Sequence, residues 1–357
     1  MRTKRSINSP GARATVKDLA KALNMSATTV SRALRGRPGM TEKTRAAILS
    51  AAKRMGYVRN VAGAALSTGK TQSIMFVVPE ASRSYSLYPM DVLQGLIDEA
   101  SRHGYSVTVV PERMLPGSGK ISHESLRSFR VDGAVFLLVR AKEPHWNITE
   151  PPYPVVVVNR IIDGLAADFV VAEDETGAFE ATQHLIKLGH TQLAFLSGPS
   201  DNFNAIRRRC GFEKALKDYG LRADPRLIAP ASSISEEGGF RAALMLLQSG
   251  RPFTGVFCGV DILAAGALQA FKRRGLRVPQ DISLVGFDND SFSALMDPPL
   301  TTIQKPRYEM GRSAGRMLIE RIEGRGQGKS TVTALRTELV IRESAASCVV
   351  PRSRTLR

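Results

Sequence analysis

Residues 15–60 read TVKDLAKALNMSATTVSRALRGRPGMTEKTRAAILSAAKRMGYVRN, and their spacing predicts three short helices. Thr15 stands before VKDLAKAL with Asp18 three residues on, close to a capping box. Val16, Leu19, Ala20 and Leu23 then recur at helical spacing. Asn24 follows, a residue that tolerates the left-handed backbone of a sharp turn. Ser26 suits the N-cap of ATTVSRAL, whose Val30, Ala33 and Leu34 form an apolar face. A third helix is expected to open at Thr41, to turn Ala47, Ile48, Ala51, Ala52 and Met55 inward, and to end at Gly56. Helix, tight turn, helix and supporting helix is the helix-turn-helix arrangement, in which the second helix lies in the DNA major groove. Its outward residues here are Ala27, Thr28, Ser31 and Arg32. Arg32 can fork two hydrogen bonds onto a guanine, Thr28 can bond either base type, and Ala27 offers a methyl contact. Lys17, Lys21, Lys43 and Arg45 are placed to neutralise phosphates. A trihelical packing unit that merely shows its polar residues to water would have the same faces.

The charge distribution bears on that choice. The chain of 357 residues has a formal net charge of +17, but residues 1–71 hold 15 Lys or Arg against only Asp18 and Glu42. Residues 72–344 are close to neutral, with 32 basic and 31 acidic residues. A basic N-terminal block ahead of a balanced body is a candidate polyanion footprint. At 43% hydrophobic residues the chain is not a disordered one. No run approaches the roughly 18 apolar residues of a spanning helix. The N-terminus MRTKRSINSPGARATV lacks the apolar region of a secretory signal. Cys210, Cys258 and Cys348 are scattered, which suits a reducing cytoplasm and offers neither a disulfide framework nor zinc spacing.

From Ser73 onward, short β-branched runs alternate with amphipathic segments. SIMFVVP, YSVTVVP, GAVFLLV, PVVVVN, FVVAED, QLAFLSG, GVFCGV and ISLVGFD read as strands. PMDVLQGLIDEASRHG, TGAFEATQHLIKLG, RRRCGFEKALKDYG and GGFRAALMLLQSG read as helices. This alternation predicts an α/β body of parallel sheets covered on both faces, and the strand count fits two Rossmann-like halves better than one small sheet. Ligands of such sheets bind beyond the carboxyl ends of the strands.

The 15–60 stretch closely resembles the headpiece of the lactose/galactose repressor (LacI/GalR) family. That headpiece has the form T-x-x-D-h-A-x-x-A-x-V-S-x-x-T-V-S-R-x-L, then V-x-x-x-T-R, then G-Y-x-P-N, and the resemblance continues to about residue 343. It implies a fold of two parts: an all-α helix-turn-helix headpiece and a periplasmic-binding-protein-like effector domain of two Rossmann-like lobes. The implied organisation is a disordered basic tail over 1–13, the headpiece over 14–60 and a hinge helix with linker over 61–72. The effector-binding and dimerisation domain then spans 73–345, and a tail occupies 346–357. Its N-lobe takes about 73–172 and 305–335, its C-lobe about 173–304 and 336–345.

The resemblance also implies roles for single residues. Thr15, Lys17, Ala27, Thr28, Ser31, Arg32 and Asn60 would contact DNA, with Leu66 of the hinge helix as the minor-groove wedge. Arg59 and Gly63-Ala64 depart from the family's usual Pro and Ala-Arg there. Asn159, Arg208 and Asp288 match the family's main effector contacts. Ser84, Tyr88, Ile234, Asp261 and Lys305 complete the implied effector set. Ile234 stands where an aromatic is frequent, Val260 where an Asn is common and Lys305 where Gln is frequent.

The expected function is that of a homodimeric, sequence-specific DNA-binding regulator, most simply a repressor, on a palindromic operator. Its control would come from a small molecule, a sugar or sugar derivative first. The expected location is the bacterial cytoplasm, on the nucleoid, with no membrane partner, no cofactor and no metal. A transport-type sugar-binding protein would share the body but not the headpiece. An enzyme finds little support. GRGQGKST at 324–331 lacks the first glycine of a phosphate loop, since Glu323 stands there, and it follows a helical stretch. The histidines are dispersed, and His184 and His190 read as capping or packing residues.

Overall fold

The computed structural model describes residues 14–34, 38–57, 70–79, 88–115, 121–137, 149–200, 202–325 and 328–348. The tail over 1–13, the hinge segment with Asn60 and Leu66, Ser84 and the end of the C-terminal tail lie outside the described residues. The chain divides after Thr71 into two compact units.

The first unit is built from α1 (Val16–Ala22), α2 (Ala27–Leu34) and α3 (Glu42–Arg54). Thr15 and Asp18 form the reciprocal capping box: the Asp18 amide donates to Thr15 Oγ1 and the Thr15 amide to Asp18 Oδ2. Asn24 turns the chain at φ 51° and Gly56 ends α3 at φ 61°. Ser26 Oγ accepts the Thr29 amide at 3.0 Å, and Thr41 Oγ1 accepts the Thr44 amide at 3.2 Å. Leu19, Val30 and Ile48 meet at the centre, fully buried, with Ala20, Ala33, Ala51 and Ala52 around them. Two residues expected inside α3 are not: Ala47 is exposed and Met55 is 37% exposed. Ala47 lies one residue, roughly 100° of helical rotation, from the Ile48 stripe, and Met55 is already the C-cap.

The second unit holds two parallel sheets. The first contains β1 (Ser73–Val78), β2 (Ser106–Pro111), β3 (Gly133–Leu137), β4 (Val155–Val158), β5 (Asp168–Ala172) and β11 (Val332–Leu335), in the order β11-β5-β4-β3-β1-β2. The second contains β6 (Leu193–Ser197), β7 (Ile228–Pro230), β8 (Gly255–Cys258) and β9 (Ser283–Val285), in the order β7-β6-β8-β9. A two-stranded antiparallel ribbon, β10 (Thr302–Gln304) with β12 (Glu338–Val340), accompanies the passage of the chain between the sheets. All eight runs read as strands in the sequence are strands, except that FVVAED leaves the sheet at Ala172 and its Asp174 opens a helix. β7, β10, β11 and β12 were not legible, because each is only three or four residues long and lies outside the longer apolar runs that betray β4, β8 and β9.

Covering helices are α4 (Tyr88–Arg102), α5 (His123–Arg127), α6 (Asp174–Lys187), α7 (Phe203–Asp218), α8 (Glu236–Gln248), α9 (Asp261–Arg273) and α10 (Arg307–Ile322). The first sheet's core joins Ile74, Phe76, Val135, Val156 and Val170 to Leu96 of α4 and Met310 and Leu318 of α10. Distant segments of sequence thus close one core. In the second sheet's core Phe212, Phe195 and Phe257 stack at 5.2 Å centroid spacings, and Phe287 lies 6.4 Å beyond Phe257. This row of rings runs from the α7 face up to the carboxyl end of the sheet.

The α4–α10 contact is backbone-close. A Cβ built on Gly311 would lie 1.9 Å from the Val92 carbonyl oxygen, so any side chain there forces the helices apart. Gly311→Ala is expected to destabilise the full chain by about 1–3 kcal/mol, the usual cost of overpacking, in urea unfolding. Unchanged stability would contradict this packing.

Candidate functional site

The exposed face of α2 presents Ala27, Thr28 and Arg32, with Ser31 half-buried beside them. Val30 and Ala33 on the opposite face anchor the helix to the trihelical core. Thr15 and Lys17 are exposed at the start of α1. Arg32 Nη2 donates to the Pro38 carbonyl at 2.9 Å, so the guanidinium is parked on the following turn.

The second unit carries a polar cluster in which residues of both sheets meet. Arg208, 3% exposed, is its centre. It projects from α7 four residues after Asn204, so both leave the helix on one face. Arg208 Nε donates to Asp174 Oδ1 at 2.8 Å, and Nη2 lies 2.7 Å from the same oxygen. Nη2 also donates to Asp288 Oδ1 at 3.0 Å, and Nη1 donates to the Gly259 carbonyl. The guanidinium carbon stands 3.7 Å from the Phe287 ring centroid, so the aromatic row ends beneath the charge. Burial works against this cation, but Asp288 and Asp174 hold its pKa above the ordinary arginine value.

Asn159 ends β4 of the six-stranded sheet with φ 79°, and Asp288 follows β9 of the four-stranded sheet with φ 109°. Both are left-handed positions that non-glycine residues rarely take, and such strain gathers at functional sites. Each is fastened by its amide: Asn159 donates to Val170 at 2.7 Å and Asp288 to Ile303 at 2.8 Å. Asn159 and Asn204 exchange amide hydrogen bonds, Nδ2 to Oδ1 in each direction, at 2.9 and 2.8 Å. This pair ties the tip of β4 directly to α7. Asn204 Nδ2 also donates to Asp174 Oδ2 at 2.9 Å.

Lys305 is 2% exposed and closes the ring. Its Nζ donates to Asn159 Oδ1 at 2.7 Å, pairs with Asp174 Oδ2 at 3.6 Å and lies 4.9 Å from the Tyr88 ring centroid. Burial pushes its pKa down to about 8, against the pull of Asp174. Burial also pushes the Tyr88 phenol well above its ordinary value. Beside them Arg307 Nη1 donates to Asp290 Oδ1 and Nη2 to the Asp288 carbonyl, both at 2.8 Å.

The structure therefore brings together Tyr88, Asn159, Arg208, Asp288 and Lys305 from the sequence-predicted set. Asp261 lies beneath them, fully buried. Its Oδ2 accepts the Asp290 amide at 2.9 Å and Ser293 Oγ at 2.6 Å, and its Oδ1 accepts Thr302 Oγ1 at 2.6 Å. It positions the 288–293 segment and presents no oxygen to the cluster. Ile234 is half-buried against the core of the four-stranded sheet. The sequence reading missed Asp174, Asn204 and Arg307. Asp174 was hidden in a run read as strand, and Asn204 was betrayed only by its four-residue spacing from Arg208.

The phosphate-loop lookalike is a connection in which the Thr331 amide donates to Asp168 Oδ1, while Arg321 forks onto the same carboxylate at 2.8 Å. His190 packs as expected, its ring nitrogens 2.8 Å from Thr254 Oγ1 and 3.0 Å from Ser283 Oγ.

Residues 15–60 match the family model of bacterial regulatory proteins, lacI family, and residues 182–345 that of the periplasmic binding protein-like domain. The HTH-type transcriptional repressor CytR of Escherichia coli (strain K12) is 32% identical over 336 residues, 93% of this chain and 96% of that protein. The complex of the transcriptional regulator CelR with cellobiose superposes at TM-score 0.69 and 27% identity, covering 93% of this chain and all of that one. The lac repressor dimer bound to operator and the anti-inducer ONPF superposes at TM-score 0.78, covering 94% of this chain and all of that one. Its 24% identity speaks to the fold alone.

Burial raises the Asp261 carboxyl from 3.8 to about 7, against the hydrogen bonds of Ser293 and Thr302, which lower it. The folded state thus holds this proton where the unfolded state has lost it, so Asp261 contributes stability at low pH that is lost as pH rises towards 7. The stability of the wild type relative to Asp261→Asn is expected to fall between about pH 4 and 7 and to level off above. A difference independent of pH over that window in urea unfolding would contradict the assignment.

Proposed function

The chain belongs to the LacI family of bacterial regulatory proteins, and from that premise we propose that it represses transcription from a palindromic operator as a homodimer under small-molecule control. The carrying observation is the cluster around Arg208, which joins the end of β4 to the end of β9 across the two sheets. A molecule bound between the sheets must exchange its hydroxyls or amides for these contacts. It alters DNA binding only by preferring one arrangement of the sheets over another. The lobes are residues 73–172 with 305–335 and residues 173–304 with 336–345. The effector contacts are Asn159, Arg208, Asp288 and Lys305, flanked by Tyr88, Ser84 and Ile234. Cellobiose in the CelR complex favours a sugar as the effector.

In the first unit, α2 reads the major groove through Ala27, Thr28, Ser31 and Arg32, while Thr15 and Lys17 meet the phosphates. Arg32 leaves the Pro38 carbonyl for a guanine when DNA is bound. Asn60 and Leu66 act at the minor groove, where an apolar wedge unstacks a base step and the resulting bend brings more protein into contact. The 15 basic residues of 1–71 supply attraction that falls steeply with salt. Among the described residues no helix is long and apolar enough to cross a membrane, and operator binding places the protein on the nucleoid.

Selection from randomised duplex DNA is expected to enrich one palindromic site. Against that site Arg32→Ala is expected to relax preference at one base pair per half-site, at a cost of about 1–3 kcal/mol. Failure to enrich any palindrome would sink the reading, and an unchanged preference would remove Arg32 from the base-reading set. Asp288→Asn is expected to keep operator binding and lose the response to an added effector; a fully responsive variant would place the effector elsewhere.

A further inference from the structure

We propose that Asp174 and Lys305 make the cleft selective for uncharged effectors and closed to phosphorylated or carboxylated ones. The inference rests on the cleft reading above and narrows it to a chemical class.

Among the described residues the cluster contains three buried cations, Arg208, Lys305 and Arg307, and three buried carboxylates, Asp174, Asp288 and Asp290. Every cation faces a carboxylate. Arg208 is shared by Asp174 and Asp288, Lys305 pairs with Asp174, and Arg307 pairs with Asp290. Asp91, 3.5 Å from Arg307 and half-exposed, adds only negative charge at the rim. Among the described residues of the cluster the sum is zero or slightly negative, with each of the three buried cations matched by a carboxylate. An incoming phosphate or carboxylate therefore has to strip Arg208 or Lys305 from its partner and leave that carboxylate buried without compensation, the most costly outcome for an ion pair.

An uncharged polar group meets no such barrier. The reciprocal Asn159–Asn204 pair accepts and donates on each side, so a hydroxyl or amide inserted there satisfies both residues without disturbing the charge balance. Asp174 is the hub of that balance, since it receives Arg208, Asn204 and Lys305 on its two oxygens. Neutralising it creates one surplus cation, and neutralising Lys305 as well restores the balance.

The test uses the full chain and matched probes: ribose with ribose 5-phosphate, and glucose with glucose 6-phosphate and glucuronate, with cellobiose added as a further uncharged probe. Dissociation constants come from thermal melting titrations. In the wild type the uncharged member of a pair is expected to bind at least about tenfold tighter. Asp174→Asn is expected to reduce that ratio by about tenfold or more, and Asp174→Asn with Lys305→Gln to restore it. Should Asp174→Asn fail to fold, Lys305→Gln alone is expected to weaken the anionic probes further. An anionic probe that binds the wild type as tightly as its uncharged partner, and whose binding Asp288→Asn abolishes, would overturn the selectivity while leaving the cleft reading intact. Ratios unmoved by Asp174→Asn would overturn it too. Binding unaffected by Asp288→Asn, or no binding by any probe, would overturn the cleft reading and this inference with it.

Discussion

A guanidinium carried into a protein interior has to be met on every donor, or the structure around it does not hold. Arg208 is met by Asp174, Asp288 and the Gly259 carbonyl, with Phe287 beneath its face. These partners come from the start of α6, the end of β9 and the end of β8. One buried cation therefore ties three chain segments together. Asn159 and Asp288 join the cluster from left-handed backbone positions, Asp288 on Arg208 itself and Asn159 on Asn204 and Lys305. Such a network is stiff when complete and poorly tolerant of partial loss, which is what a two-state sensor needs.

The sequence made the general plan legible and the junctions obscure. Eight strands were readable because β-branched runs such as VVVV at 155–158 are unlike anything around them. The helix-turn-helix was readable because its caps are local: Thr15, Ser26, Thr41 and Gly56 each act within four residues. Asn159 and Asp288 were singled out by the family resemblance, and they stand at the ends of PVVVVN and ISLVGFD, runs legible as strands. Asp174 was not, since FVVAED continues a hydrophobic run and only tertiary packing shows the helix starting at its last residue. Asp261 carries the same residue type at a similar place, yet Ser293 and Thr302 enclose it from segments 32 and 41 residues away. Ala47 and Met55 show the opposite limit. Apolar character alone placed them inward, whereas Ala47 lies off the Ile48 stripe and Met55 is already the C-cap of its helix.

The two units divide the work by charge. Residues 1–71 hold nearly all of the positive excess outside the C-terminal tail, and the body is close to neutral. Attraction to a polyanion is thereby confined to the part that reads it, and the sensor stays free of nonspecific pull. Within the Arg208 cluster a balance recurs at a smaller scale, where among the described residues buried Arg208, Lys305 and Arg307 face buried Asp174, Asp288 and Asp290. The position of Lys305 illustrates how little separates a structural residue from a sensing one. It donates to Asn159, pairs with Asp174 and lies over the Tyr88 ring.

The central claim is that the Arg208 cluster couples a cleft ligand to DNA binding. Coupling of this kind is reciprocal, so the factor by which a ligand changes operator affinity equals the factor by which operator changes ligand affinity. Calorimetric titration of a cleft-binding compound into the free protein and into the operator complex measures it directly. The account predicts two different ligand affinities, in the ratio found from operator binding with and without the compound. Equal ligand affinities in the two titrations would contradict it.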